Sequence, residues 1–509
     1  MCGILATVNY TDNEEFKVRL ELLKHRGPDS TKIMKKHNVC LGFARLAING
    51  LDEISNQPFC IEGIYLICNG EIYNHKELKD IYNLRPYSSS DCEVIIHLYL
   101  KLGLQETIQL LDGEFAFVLY DSNKHSFFAV RDRFGVKPLF FGTTSDNQLI
   151  LASELKACSF FNDVKQLPAG HILDLDRLEI NPYYTLSLEI KEHLNMKIQI
   201  RTLLEQAVEK RLMSDRPIGV LLSGGLDSSI IASIVSRIFK KQGIPLHTFS
   251  ISTNKTSPDY IAAKKVAEYL GSVHHEVFFT PEEGFDTIPE TIAHTETYDI
   301  TTNRASTPML LLARYISLYT DIKVILSGEG SDEIFGGYLY FHSAPNSKEF
   351  HTELGRLIKE LPDFDVLRAE RTMSAYGLEL RPPFLDTKFI EFVMSIDPKE
   401  KMTKIEKAIL RESFVGYLPD DILWRQKNGM SDAVGYNWVD YIKFRCKSLN
   451  LTGVGKYTHN PPKTKEALYY RQVFESFYVY DKILDHMWLP KWSGEQKDPS
   501  ARLLTHFTS

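Results

Sequence analysis

The chain has 509 residues, too many for one ordinary core, so two or three domains are expected. With 43% hydrophobic and 25% charged residues it has the composition of a globular protein, and a net charge of −7 gives no electrostatic reason for nucleic acid as a partner. The longest apolar runs, such as residues 308–312, fall far short of a membrane span, and no signal peptide opens the chain, so a cytoplasmic protein with no membrane association is expected.

In chain order, the first 180 or so residues read as mainly β with a few helices. Alternating or apolar runs at 64–68, 115–120, 127–130, 139–141 and 149–152 are bounded by turn residues. Turn chemistry at Asp121-Ser122-Asn123 and Ser145-Asp146-Asn147 predicts hairpins and hence antiparallel sheets. A helix is predicted over 92–102, with Asp91 as a candidate N-cap. The character changes near Asn181-Pro182. Apolar residues at helical spacing from Leu194 to Leu212 open a run of strand–helix units: strands at 218–222, 246–251, 275–279 and 323–326, helices at 227–240 and 260–270. Such alternation predicts a doubly wound parallel sheet. Beyond about Tyr340 the chain reads as mostly helical. A boundary is expected within 182–195.

The seven cysteines (2, 40, 60, 68, 92, 158 and 446) are odd in number and include no CxxC pair. That predicts reduced thiols rather than disulfides or structural zinc, with the six beyond Cys2 as packing thiols. The sequons at Asn254 and Asn450 then read as chance matches. His274 and His275, adjacent on a strand, face opposite sides and make a poor metal site.

Two features carry chemistry. Cys2 becomes the first residue if Met1 is removed, and then joins a thiol to an α-amine whose reference pKa is about 8, a nucleophile with a built-in base. Ser223-Gly224-Gly225-Leu226-Asp227-Ser228-Ser229 lies between a strand and a helix. Its glycines let backbone N–H groups approach an anion at the helix N-terminus, and Asp227 is able to hold Mg²⁺ on phosphates. It is not a Walker A loop, since the Gly-Lys-Ser/Thr ending is missing. A second glycine-rich acidic string, Ser327-Gly328-Glu329-Gly330-Ser331-Asp332-Glu333, follows the strand at 323–326.

The 223–229 string resembles the pyrophosphate loop of ATP pyrophosphatases that adenylate an acceptor. The strings His25-Arg26-Gly27-Pro28-Asp29, Arg45-Leu46-Ala47-Ile48, Asn69-Gly70-Glu71-Ile72-Tyr73-Asn74 and Ser90-Asp91-Cys92-Glu93 resemble the glutaminase domain of class II, N-terminal-nucleophile amidotransferases. Together with 306–309, 381–386 and 424–427 they make the chain similar to the glutamine-hydrolysing asparagine synthetase family, from Cys2 to about Trp438.

The resemblance implies two domains. One, over 2–185, is an α+β Ntn-hydrolase-like glutaminase of antiparallel sheets layered with helices. The other, over 195–509, is an α/β doubly wound synthetase domain with additional helices. It implies L-glutamine, L-aspartate and ATP as substrates, with Mg²⁺. Cys2 would be the nucleophile, and Asn69 and Gly70 the oxyanion donors. Arg45, Leu46, Ala47, Ile48, Asn49, Asn69, Gly70, Glu71 and Asp91 would bind glutamine, with Arg45 on its α-carboxylate and Asp91 and Glu71 on its ammonium. ATP would rest on Leu221, Ile251, Ser327 and Gly328, with its phosphates on Ser223, Gly224, Gly225, Asp227 and Ser228. Asp227 and Asp332 would hold Mg²⁺. Glu329 would serve formation of β-aspartyl-AMP and its capture by ammonia, and Arg381 and Lys427 would neutralise phosphate or aspartate. Ammonia would pass between the sites internally. The segment 402–406 looks shorter than in the family, and Pro382 departs from the usual Arg-x-Pro-Phe-Leu-Asp pattern. No function is assigned after about Asn450. Two alternatives stay open on these residues: a related amidotransferase or β-lactam-type synthetase adenylating another carboxylate, and a non-catalytic glutamine or nucleotide sensor. Oligomeric state is also open, a homodimer included.

Overall fold

Among the described residues, two six-stranded antiparallel sheets and one five-stranded parallel sheet organise the fold. The computed structural model describes residues 1–10, 12–144, 148–159, 161–426, 437–480 and 482–492, with Asn162 described in its backbone alone. The first sheet comprises β1 (Gly3–Val8), β2 (Ser30–Lys36), β3 (Val39–Arg45), β8 (Phe140–Thr143), β9 (Leu149–Ala152) and β10 (Asn162–Gln166), in the order β10-β8-β9-β1-β3-β2. The second comprises β4 (Phe59–Ile61), β5 (Ile64–Ile72), β6 (Gly113–Asp121), β7 (Ser126–Arg131), β11 (His171–Asp174) and β12 (Glu179–Pro182), in the order β12-β11-β7-β6-β5-β4.

The period of two along these strands builds a layered domain. Ile4 and Ala6 of β1 share a core with Ile67 of β5 and Ala116 and Val118 of β6, between the sheets. Leu5 turns the other way, onto Phe16 and Leu20 of the helix Asn13–Glu21. On the outer face of the second sheet, Leu66 and Phe117 pack against Ile95 and Leu98 of the helix Val94–Leu102. Ser90, whose hydroxyl accepts from the Cys92 N–H, caps the short helical turn that leads into this helix, so the cap is Ser90 and not Asp91. The turn expected at Ser145–Asn147 lies outside the described residues; β8 and β9 on either side of it pair antiparallel. Residues 183–195 form neither helix nor strand.

The parallel sheet comprises β13 (Ile218–Leu221), β14 (His247–Ser252), β15 (Val273–Phe278), β16 (Val324–Leu326) and β17 (Glu379–Arg381), ordered β15-β14-β13-β16-β17. Helices Met196–Lys210, Leu226–Gln242 and Pro258–Leu270 share a core with Val220 and Leu326. Ile300–Tyr319 and Asp365–Ser374 share another with Phe249, Ile325 and Leu380 on the opposite face. The strand order reverses at β13, which places a crevice at the carboxyl ends of β13, β14 and β16. β17 was not expected: its three residues hide a strand in which the alternating inward residues are charged, Glu379 and Arg381 both being buried. His274 hydrogen-bonds Thr248 and Ser250, while His275 stacks on Phe249, so the two rings do face apart. Of the cysteines, Cys60 is exposed and so not a packing thiol.

Trp438, on the helix Asn437–Ser448, is fully buried and donates its indole N–H to Arg304 O at 3.0 Å. Its ring lies against Gly284, where a Cβ would approach it to 2.6 Å. Trp438→Ala is expected to destabilise the protein by about 3–5 kcal/mol. A thermal melt monitored by circular dichroism checks this, an unchanged midpoint being the contrary result.

Candidate active sites

Cys2 sits immediately before β1, half-buried, and its backbone N–H donates to Asn69 Oδ1 at 2.8 Å. That bond fixes the orientation of the Asn69 amide. Its Nδ2 is buried and has no hydrogen-bond partner among the described residues. A buried donor without a partner beside a thiol suits a developing oxyanion. The Cys2 Sγ lies 3.4 Å from Leu46 N and 3.6 Å from Leu46 O. Gly70 follows Asn69 on β5 with φ +154, and a Cβ there would fall 2.2 Å from Glu114 O, so only glycine brings this backbone against β6. Burial pushes the Cys2 thiol up to about 11, against the pull of the nearby N-terminal ammonium. The thiol is therefore protonated at neutral pH and needs a base to act. Met1 N itself is buried, 3.4 Å from Glu379 Oε2.

The segment after β3 is pinned by the second half of the chain. Asp215 N donates to Ile48 O at 3.0 Å, Gly50 N to Asp215 Oδ2 at 2.8 Å, and Arg216 Nε to Ala47 O at 3.0 Å. Arg45 is buried, with Nη1 on Asp52 O (2.9 Å) and Asn56 Oδ1 (2.6 Å) and Nη2 on Gly50 O. Nearby, Glu71 accepts from Asn49 Nδ2, and Asp91 accepts from Ile72 N at 2.6 Å. Burial raises both carboxyls: Glu71 well above its ordinary range, with the charges of Asp91 and Glu379 adding to it, and Asp91 to about 6. Glu71, raised by the neighbouring Asp91, and Asp91, raised by burial, make a place that favours a cation.

The second site is the crevice of the parallel sheet, about 290 Å³ in volume. Leu221, Ser223, Gly224, Gly225, Asp227, Ser228, Ile251, Ser327, Gly328, Glu329 and Asp332 all line it. Gly224 has φ +80, and a Cβ there would lie 2.5 Å from Asp259 O. At Gly328 a Cβ would meet Ser228 N at 2.8 Å, so both glycine loops approach closely enough to form one cradle at the N-terminus of the helix Leu226–Gln242. Lys407 Nζ lies 2.7 Å from Asp227 and 2.6 Å from Asp332. Burial alone would lower this ammonium, but the two carboxylates lift it above its ordinary value. Glu329 receives Arg368 Nη2 at 2.8 Å; burial nonetheless raises its carboxyl. Among the described residues, no group of three or more His, Cys, Asp or Glu is placed to hold a metal ion.

Two family models match the chain, Asparagine synthase over residues 199–353 and 343–492 and Glutamine amidotransferase domain over residues 1–165. The chain is 46% identical to asparagine synthetase [glutamine-hydrolyzing] 2 of Oryza sativa subsp. japonica, covering 94% of this chain and 86% of that one. It is also 46% identical to asparagine synthetase [glutamine-hydrolyzing] 3 of Arabidopsis thaliana, over 94% and 88% of the two chains. A probable asparagine synthetase [glutamine-hydrolyzing] of Dictyostelium discoideum is 42% identical over 99% and 98%. The chain belongs to the glutamine-hydrolysing asparagine synthetase family.

Within this family frame, one of the expected site residues stands elsewhere. Arg381 does not line the crevice. It shares a face of β17 with Glu379, and that face turns toward the N-terminal half; its Nη2 lies 2.8 Å from Glu379 and 3.5 Å from Glu71, and its Nη1 donates to Arg211 O and Met213 O. Lys427 lies outside the described residues. Lys407 and Arg368 were missed. The segment 402–406, conspicuous for its shortness, delivers Lys407 at φ +58, a conformation that sequence did not announce. Arg425, within the 424–427 segment, donates to Gly224 O at 3.0 Å and pairs with Asp259, bracing the glycine loop.

Because no Cβ fits at position 224, Gly224→Ala is expected to abolish the rise in melting temperature produced by ATP. At an ATP concentration 100 times the dissociation constant of the unaltered protein, that rise corresponds to about 2.7 kcal/mol. Differential scanning fluorimetry with and without ATP checks this.

Proposed function

We propose that the chain makes L-asparagine from L-aspartate, L-glutamine and ATP, releasing L-glutamate, AMP and pyrophosphate. The observation that carries this reading is the presence, in one chain, of a cysteine beside a buried amide donor with no partner among the described residues and a strand-end cradle with paired carboxylates.

In the first half, removal of Met1 turns the amide nitrogen now on Asn69 Oδ1 into an α-amine, the base that a protonated thiol requires. Cys2 Sγ attacks the carboxamide carbon of glutamine, Asn69 Nδ2 and the Gly70 N–H receive the oxyanion, and the C–N bond breaks to release ammonia. Water then hydrolyses the thioester to glutamate. The raised carboxyls of Asp91 and Glu71 receive the α-ammonium. Arg45 exchanges neutral carbonyl partners for the α-carboxylate, a charge-assisted and stronger pairing. Leu46, Ala47, Ile48 and Asn49 form the wall that Asp215 and Arg216 brace.

In the second half, the aspartate β-carboxylate attacks the α-phosphorus and pyrophosphate leaves; ammonia then attacks the acyl carbon and AMP leaves. The cradle N–H groups and Lys407 offset charge on the phosphates, and Glu329, its carboxyl raised by burial, takes a proton from the nitrogen. Asp227 and Asp332 fit Mg²⁺: their hard oxygens converge on one cation position now served by Lys407, and such an ion is ordinarily held by one or two carboxylates plus substrate phosphates. When bound it would supply charge neutralisation at the phosphates. Small molecules are the partners in this reading. The seven free cysteines support a reducing, cytoplasmic setting, and among the described residues no helix is long and apolar enough to cross a membrane.

ATP–pyrophosphate exchange with a panel of carboxylates tests the acceptor: exchange is expected with aspartate, and exchange with a different acid but not aspartate would contradict the assignment. Cys2→Ala is expected to lower glutamine-dependent synthesis on the order of a thousandfold or more, with ammonia-dependent synthesis retained. The glutamine KM is expected to rise as pH falls through about 6, because Asp91 gains a proton and loses its attraction for the ammonium. In Asp91→Asn that limb should be absent from a KM–pH profile.

A further inference from the structure

The guanidinium of Arg26 is fully buried at the junction of the two halves. Its Nε donates to Cys2 O at 3.0 Å, and its Nη1 donates to Glu154 Oε1 at 2.6 Å and to Ser374 Oγ at 3.0 Å. Its Nη2 pairs with Glu370. The fork is thus held by one carboxylate from each half of the chain. Glu370 and Ser374 both stand on the helix Asp365–Ser374, which packs on the parallel sheet through Ala369 and Met373.

The same helix is anchored at two further points. Arg368 holds Glu329 at the crevice at 2.8 Å, and Arg371 reaches Glu154 at 3.0 Å and Glu296 at 3.1 Å. From Arg368 to Ser374 the rise is about 9 Å, so one rigid segment touches both sites. Neither Glu370 nor Ser374 lines the crevice, and neither touches Cys2 itself.

We infer that Glu370, a residue of the synthetase half, is a positioning residue for glutamine hydrolysis: through Arg26 it fixes the carbonyl of Cys2 and hence the approach of Sγ to the carboxamide. The chemistry is directional. A planar guanidinium gripped by two carboxylates has no freedom to tilt, so its Nε presents one geometry to Cys2 O. Glutamine remains an amide held by the Arg45–Asp91 side, so loss of Glu370 acts on the attack and not on binding.

This inference rests on the glutaminase reading given above, and the experiment separates the two. Glutamine hydrolysis and ammonia-dependent asparagine synthesis are measured first in the unaltered enzyme with Met1 removed; if neither occurs, the functional reading fails irrespective of Glu370. Given both activities, Glu370→Gln is expected to lower the glutaminase kcat about 10- to 100-fold, as small misplacements of reacting groups do, with the glutamine KM and ammonia-dependent synthesis each within about twofold. Equal loss of both activities would show that Glu370 only maintains the fold. Unchanged activities, or a rise in glutamine KM at constant kcat, would equally overturn the positioning role. If Glu370→Gln is insoluble, Ser374→Ala, which removes one neutral hydrogen bond to the same guanidinium, decides: a selective loss of glutaminase kcat supports the inference, and a normal kcat refutes it.

Discussion

The buried ionic cluster between the two halves is the constraint on which the rest of the structure depends. Arg26 and Glu154 come from the first half, Glu296, Glu370 and Arg371 from the second, and all five are essentially removed from water. Buried charges are tolerable only when each is paired, and breaking such a pair costs about 3–5 kcal/mol. The cluster therefore penalises any relative displacement of the halves. Burial would raise the Glu154 carboxyl, yet Lys156, His25 and the two arginines hold it well below its ordinary range. The charges act as one unit.

From that junction the position of each site follows. Arg26 leads to Cys2, and the sheet carrying Glu379 and Arg381 lies beside Glu71, so the floor of the proposed glutamine site is partly made of residues of the second half. Asp215 and Arg216 hold the 47–50 backbone in the same way. On the other side of the junction helix, Arg368 holds Glu329 at the strand ends. Two chemistries that ordinary domains would separate by a linker are here joined through side chains that each half contributes to the other.

Much of this was legible in the sequence. The glycine-rich strings at 223–229 and 327–333 supply twelve of the residues that line the crevice, because loops at strand ends are local and their composition reflects the close backbone approach they permit. Cys2 and Asn69 were legible as chemistry, but that the Asn69 Nδ2 has no partner among the described residues emerges only once β5 is set beside β1. What escaped were long-range pairings. Arg381 reads as a cation awaiting phosphate, yet its partners Glu379 and Glu71 take it to the other site. Lys407 had no glycine, turn signal or period to mark it, and gains meaning only where Asp227 and Asp332 converge. β17 was hidden because buried charge inverts the apolar alternation by which strands are found.

In the proposed reaction, nitrogen released at Cys2 is the nitrogen placed on an adenylated aspartate in the same chain. The direct measurement is asparagine synthesis from amide-¹⁵N-glutamine, aspartate and ATP in the presence of unlabelled ammonium, with products read by mass spectrometry and AMP counted. ¹⁵N-asparagine enriched well above the label content of the bulk ammonium is expected, with one AMP formed per asparagine. Asparagine carrying only the isotopic composition of the bulk ammonium, or ADP in place of AMP, would contradict it.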